Sequence, residues 1–148
     1  MLQLLGTGRT PGTEVSMSGN TLAVPARSVF AGVLLWSLKE SLKKKRESTW
    51  PTIVDLSNEI VVLKKKANLD TSGISIRSDK GGWISDDLAS FVNGFVLFGL
   101  ATPRPIILSD EAVGLCREVL ESDSRNNPNS IQAFCDKLGI EFSPGTTA

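Results

Sequence analysis

Ser85-Asp86-Asp87-Leu88-Ala89-Ser90-Phe91-Val92-Asn93-Gly94-Phe95-Val96-Leu97-Phe98-Gly99 is the stretch on which the fold turns. At a period of 3.6 residues, Leu88, Phe91, Val92, Phe95 and Val96 share one face, so the spacing predicts an amphipathic helix. Both ends are punctuated. Ser85 offers an N-cap oxygen, Asp86 and Asp87 put negative charge where the helix dipole is positive, and Gly99 stands where a helix-ending glycine belongs. The segment carries no Lys or Arg. Such a helix is a packing element, too electronegative at its leading end to approach a polyanion.

Working outward, the C-terminal flank repeats the same grammar. Thr102-Pro103-Arg104-Pro105 reads as a turn and Ile106-Ile107-Leu108 as a short strand. Ser109 then caps a helix to about Glu121 that buries Ala112, Val113, Cys116, Val119 and Leu120. Ser122 to Asn129 reads as a polar loop. Ser130 caps a last helix bearing Ile131, Phe134, Cys135 and Leu138, and Gly139 ends it. Residues 143–148 are expected to be a disordered tail.

On the N-terminal side, Asp79-Lys80-Gly81-Gly82 predicts a turn after a strand at Ile74 to Ser78. Pro51 suits the first turn of a helix whose seam is Ile53, Leu56, Ile60 and Leu63, closed by Lys64-Lys65-Lys66. Before it, Ser28 is read as the cap of a long helix to about Glu47, closed by Lys43-Lys44-Lys45-Arg46. The first half of that helix is apolar nearly all round, which predicts a central position. In residues 1–27, Glu14 to Met17 and Thr21 to Val24 alternate around Ser18-Gly19-Asn20, the pattern of a small β-hairpin after a mobile Gly6 to Gly12 loop. The expected fold is mainly α with a few short β-strands: about five helices in a single helical domain over residues 28–142, behind an N-terminal loop and hairpin.

The run Phe98-Gly99-Leu100, then Ala101 to Leu108, then Leu108-Ser109-Asp110-Glu111-Ala112-Val113-Gly114 resembles the winged helix-turn-helix domain of the MarR and PadR regulators. There a recognition helix ends in Gly-Leu, a short β-wing follows, and Leu-Ser or Leu-Thr opens a long helix. The resemblance covers residues 83–120 and implies a winged-helix-like second half over residues 70–121. It further implies duplex DNA as a partner.

Composition narrows the function classes. The chain has 148 residues, 41% hydrophobic and 22% charged, which is ordinary for a globular domain. It contains no His, so triad chemistry of the Ser-His-Asp or Cys-His kind is excluded within one chain, and the commonest metal ligand is missing. Cys116 and Cys135 sit at apolar helix positions outside any C-x-x-C pattern and read as buried thiols in a reducing compartment. Gly6 to Gly12 lacks the Gly-Lys-Ser/Thr ending of a phosphate loop. No catalytic residue, metal ligand or cofactor site is expected, and the chain is read as not an enzyme. The longest apolar run, Val29 to Trp36, is too short to span a bilayer, and Met1 to Leu5 lacks a basic leader, so a cytoplasmic protein is expected.

Net charge is zero but unevenly shared. Residues 1–80 hold 12 Lys and Arg against 7 Asp and Glu, and residues 81–148 hold 4 against 9. Such a dipolar chain suits head-to-tail self-association or an acidic partner for its first half, the plain alternative being that the two halves compensate each other inside one fold. The leading expectation is a non-catalytic binding module that assembles with itself or another protein through helices. The expected contact residues are Val29, Leu35 and Trp36 on the first helix, Trp50, and Ile53, Leu56, Ile60 and Leu63 on the second. The alternative is a DNA-binding regulator. Its phosphate contacts would be Lys43, Lys44, Lys45 and Arg46, then Lys64, Lys65 and Lys66, with Arg77, Lys80 and Arg104.

Overall fold

A computed structural model of the chain describes residues 21–44, with side chains through residue 40, and residues 51–142. The expected strand Glu14 to Met17, its turn, the Gly6 to Gly12 loop and the 143–148 tail lie outside the described residues. Among those described there are five helices and two antiparallel hairpins. In chain order they are α1 (Ala26–Lys44), α2 (Ile53–Ala67), β1 (Arg77–Asp79), β2 (Gly82–Ile84), α3 (Asp86–Leu97), β3 (Ala101–Pro103), β4 (Ile106–Leu108), α4 (Asp110–Ser124) and α5 (Pro128–Leu138). The fold is mainly α with a few short strands. No described helix is long and apolar enough to cross a membrane.

Helix α1 is the axis of the molecule and packs against each of the other four helices. The cause is in its sequence: from Val29 to Leu35 every residue is buried, and a helix that is apolar all round must be surrounded. Gly32 sits at its closest approach to α5. A Cβ there would fall 2.4 Å from Cε2 of the Phe134 ring and 3.0 Å from Cδ1 of Leu138. The core is one cluster running from Val24 through α1 and α2 to Leu138, with Leu56, Ile60, Leu88, Ile131 and Phe134 fully buried. Each such side chain stabilises the fold by about 1.5–3 kcal/mol before entropy is charged.

The two hairpins repeat one local design. Each second strand runs into a serine cap followed by two acids, as Ile84-Ser85-Asp86-Asp87 and Leu108-Ser109-Asp110-Glu111. Ser85 Oγ accepts from the Leu88 N–H at 3.2 Å and Ser109 Oγ from the Ala112 N–H at 3.1 Å. In the first hairpin Ser78 faces Trp83, and Lys80 (φ 44°) and Gly81 (φ 86°) make the turn. Two positive φ values in succession define the type I′ turn that matches strand twist. In the second, Thr102 faces Ile107 across an Arg104-Pro105 turn whose peptide is cis. At its far end α3 finishes as predicted: Gly99 (φ 73°) and Leu100 donate back to Val96 and Phe95.

Several local expectations are corrected. Ser28 is not a cap: α1 begins at Ala26, and the Ser28 hydroxyl, fully buried, donates instead to Asp123 Oδ2 at 2.6 Å. Pro51 lies before α2, which Thr52 caps in a reciprocal box with Asp55; Pro51 supplies only its carbonyl, to the Ile106 N–H at 2.9 Å. The predicted strand at Ile74 to Ser78 is shifted to Arg77–Asp79, since Ile74 is buried in the core and leaves its segment no partner strand. Helix α4 runs on through Ser122 to Ser124 because Asp123 and Ser124 are buried. α5 opens at Pro128, not after Ser130, with proline's missing N–H placed in the first turn. Thr21 to Val24 includes a single parallel bridge from Leu22 to Leu69.

Candidate functional site

The apolar residues that sequence reasoning offered as a contact surface are used up inside the chain. Val29, Leu56 and Ile60 have no exposed surface, Leu35 and Leu63 are buried, and Trp36 and Ile53 are half-buried against the same core. Trp50 lies outside the described residues. The physical reason is that α1 is enclosed by α2, α4 and α5, so the seam of α2 faces α1 and not a partner. A second copy cannot reach Val29, Leu35, Leu56, Ile60 or Leu63 without opening the core, whereas Trp36 and Ile53 keep part of their surface in water.

What remains exposed lies elsewhere. Leu97 and Phe98, at the C-terminal end of α3, are 76% and 81% exposed. Gly94, three and four positions earlier, is exposed on the same face with open space above it. From Leu88 to Pro103 the chain carries no charge, so the solvent face of α3 beyond its first turn is Ser90, Asn93, Gly94, Leu97 and Phe98. The inner face explains why the helix holds its position: Leu88 and Val92 are buried, and the Phe91 ring lies 5.5 Å from that of Phe30, tilted by 52°, and 5.5 Å from that of Phe95, edge to face. The pattern that predicted the packing face was legible in the sequence. The outer pair was overlooked because two apolar residues at a helix end are ordinarily folded back.

A second surface lies between α2 and the first hairpin. The Trp83 N–H donates to Asn58 Oδ1 at 3.0 Å and the Ser85 N–H to the buried Ser57 Oγ at 2.9 Å, which fixes β2 along α2. Beside them is a groove of about 770 Å³ whose lining includes Val61, Lys64 and Lys65 of α2, Ile74 and Ile76, Trp83 of β2, and the polar Asn68, Thr71 and Ser72. Trp83 is 40% exposed. Asp70 also lines the groove, its carboxylate accepting from the Ser72 N–H at 2.9 Å, which holds it below the usual carboxylate range. A smaller cleft of about 490 Å³ lies beside α1 and the end of α5, with Leu35, Leu38 and Ile140 as its apolar part. Its Lys39 ammonium is spent on the Gly139 carbonyl.

The described basic residues offered for the DNA reading stand on three elements, α2 and the two hairpins. Lys64, Lys65 and Lys66 are exposed on the last turn of α2, Lys80 is at the tip of the first hairpin, and Arg104 at the tip of the second. Arg77 is paired with Asp86 at 3.1 Å, so one cation is neutralised by the very carboxylate that opens α3. The pairing raises the Arg77 pKa and lowers that of Asp86. The side chains of Lys43 and Lys44, and all of Lys45 and Arg46, lie outside the description. The hairpin β1–β2 stands between α2 and α3, and the hairpin β3–β4 between α3 and α4.

Among the described residues no three His, Cys, Asp or Glu side chains cluster as a metal site. Burial pushes the Glu59 carboxyl up, with Lys66 opposing and Glu40 reinforcing the rise. Both thiols are buried and pushed up to about 12 by desolvation, which removes them as nucleophiles near neutral pH. The strongest polar feature is structural: Asp123, 8% exposed, accepts from Arg27 Nε at 3.1 Å and from the Ser28 hydroxyl, tying the start of α1 to the end of α4. The Arg27 contact chiefly holds the Asp123 carboxyl below its usual range against the opposing effect of burial. Comparison with protein-family models, with curated proteins and with solved structures found no match to this chain.

Proposed function

We propose that this protein is a non-catalytic assembly module that associates with itself through the exposed end of α3. The observation that carries this reading is the pair Leu97 and Phe98, 76% and 81% exposed on a face without charge. Large apolar side chains left in water in this way mark contact sites. A charge-free patch also favours a second copy as its partner. When a surface meets its own image across a two-fold axis, like charges meet like, and their absence here removes that repulsion.

The test is molecular mass in solution over a concentration series, for the native chain and for Phe98→Ser and Leu97→Ser. The native chain is expected to exceed its monomer mass of 15.9 kDa as concentration rises, and the variants to associate at least ten-fold more weakly. Their melting temperatures should match the native protein's, because residues this exposed contribute within about 0.5 kcal/mol to folding. A native chain that stays monomeric, or variants that associate as tightly as the native chain, refutes the reading. An added arm with duplex DNA at low salt separates it from DNA binding, which would appear as a complex weakening steeply with salt.

A further inference from the structure

The groove between α2 and the first hairpin is a second surface, independent of the α3 end, and its chemistry is specific. Its lining combines the apolar Ile74, Ile76 and half-exposed Trp83 with two lysines, Lys64 and Lys65, against a single carboxylate, Asp70, which is engaged by the Ser72 N–H. Among the described residues neither lysine takes part in an ion pair. A groove of this kind fits a helix face that presents an aliphatic side chain between two carboxylates. That face exists on this chain. On α4, Glu111, Leu115 and Glu118 fall at i, i+4 and i+7 on one stripe, all exposed, with Leu115 at 36%. Among the described residues neither glutamate takes part in an ion pair either.

We propose that the groove receives the Glu111–Leu115–Glu118 face of α4 from a second copy of the chain. Leu115 seats against Trp83 and the two isoleucines, and the glutamates meet Lys64 and Lys65. The uneven charge of the sequence is the larger expression of the same arrangement: the groove belongs to the half of the chain with excess Lys and Arg, and α4 to the half with excess Asp and Glu. Complementary charge of this kind selects orientation and speeds encounter. The contact joins two different surfaces, so it is head-to-tail. It closes into a ring or a reciprocal pair, or continues as an open chain.

The test is a charge exchange, made in a Phe98→Ser background so that the α3 contact plays no part. One variant carries Lys64→Glu with Lys65→Glu, the other Glu111→Lys with Glu118→Lys. Each alone sets like charge against like and should associate roughly thirty-fold more weakly than the background chain. Mixed in equal amounts, each groove meets a helix of opposite sign and association should return to within about three-fold of the background. Leu115→Ser, with the charges intact, should also weaken it. A mixture that stays monomeric, charge-reversed variants that associate as well as the background, or a background chain with no association at all overturns the proposal. So does a groove that takes up a soluble peptide of alternating Glu and Leu while the mixture stays monomeric. Circular dichroism checks folding. If a reversed variant unfolds, the pairs Lys64→Gln with Lys65→Gln and Glu111→Gln with Glu118→Gln replace them. These should weaken association about five-fold, and unchanged affinity in both overturns the idea equally.

Discussion

Replacing Gly32 by alanine sets helix propensity against packing, and the structure says which wins. In an isolated helix the change is favourable by about 1 kcal/mol, because alanine loses less backbone entropy than glycine. At this position the new Cβ would lie 2.4 Å from Cε2 and 3.0 Å from Cζ of Phe134, and 3.0 Å from Leu138. Phe134 has no exposed surface and Leu138 is 5% exposed, so neither side chain has space to retreat into. Forcing an extra carbon into a filled core costs about 1–3 kcal/mol, and a contact this short belongs at the upper end. The net expectation is destabilisation by about 1–2 kcal/mol, a fall in melting temperature of roughly 2–8 °C for a chain of this size. The assay is urea and thermal unfolding of Gly32→Ala beside Gly94→Ala and Gly114→Ala. Those two glycines are also helical, but nothing lies within 4 Å of where their Cβ would stand. Both controls should gain about 0.5–1 kcal/mol. If Gly32→Ala is as stable as the controls, α1 and α5 are not in the contact described, and the central placement of α1 fails with it.

Two further expectations concern buried polar and sulfur groups. Asp123→Ala should cost about 1–3 kcal/mol at neutral pH, because it leaves the buried Ser28 hydroxyl without its acceptor. Since the folded-state pKa of Asp123 is depressed, its contribution is fully present above the unfolded carboxylate value near 4 and is lost as pH falls through the lower folded value. Unfolding curves of native and variant proteins should therefore converge at strongly acidic pH, and a gap that stays constant would refute the linkage. Cys116 and Cys135, buried and pushed up to about 12, should not react with an aromatic disulfide reagent at pH 8 until denaturant is added. Rapid labelling of either thiol in the native protein would contradict its placement.

Much of the framework was legible because it is local. Ser85 and Ser109 cap their helices as their positions predict, Gly99 and Gly139 end theirs with positive φ, and the Asp79 to Gly82 turn forms. Each depends on residues within one turn of chain. Misreadings arose where a distant partner outbid the local signal. Ser28 has the chemistry of a cap, but Asp123, far along the chain, takes its hydroxyl. Ser122 to Ser124 look like loop residues until burial of Asp123 and Ser124 extends α4 over them. The candidate surfaces were less legible still. Hydrophobic periodicity shows that Leu56, Ile60 and Leu63 face something apolar, but a helix seam has the same pattern whether its partner is in the same chain or another.

The sequence by itself determined where the described helices fall, what ends many of them, and that no histidine-based chemistry is available, because these follow from composition and from neighbours a few residues apart. Only the tertiary structure decided which apolar faces are enclosed and which meet water. It closed the seam of α2 inside the core, left Leu97 and Phe98 outside, and brought Trp83, Lys64 and Lys65 to one groove. The reason is physical: burial of apolar area has no direction along the chain, so exposure is settled only when all the elements have docked.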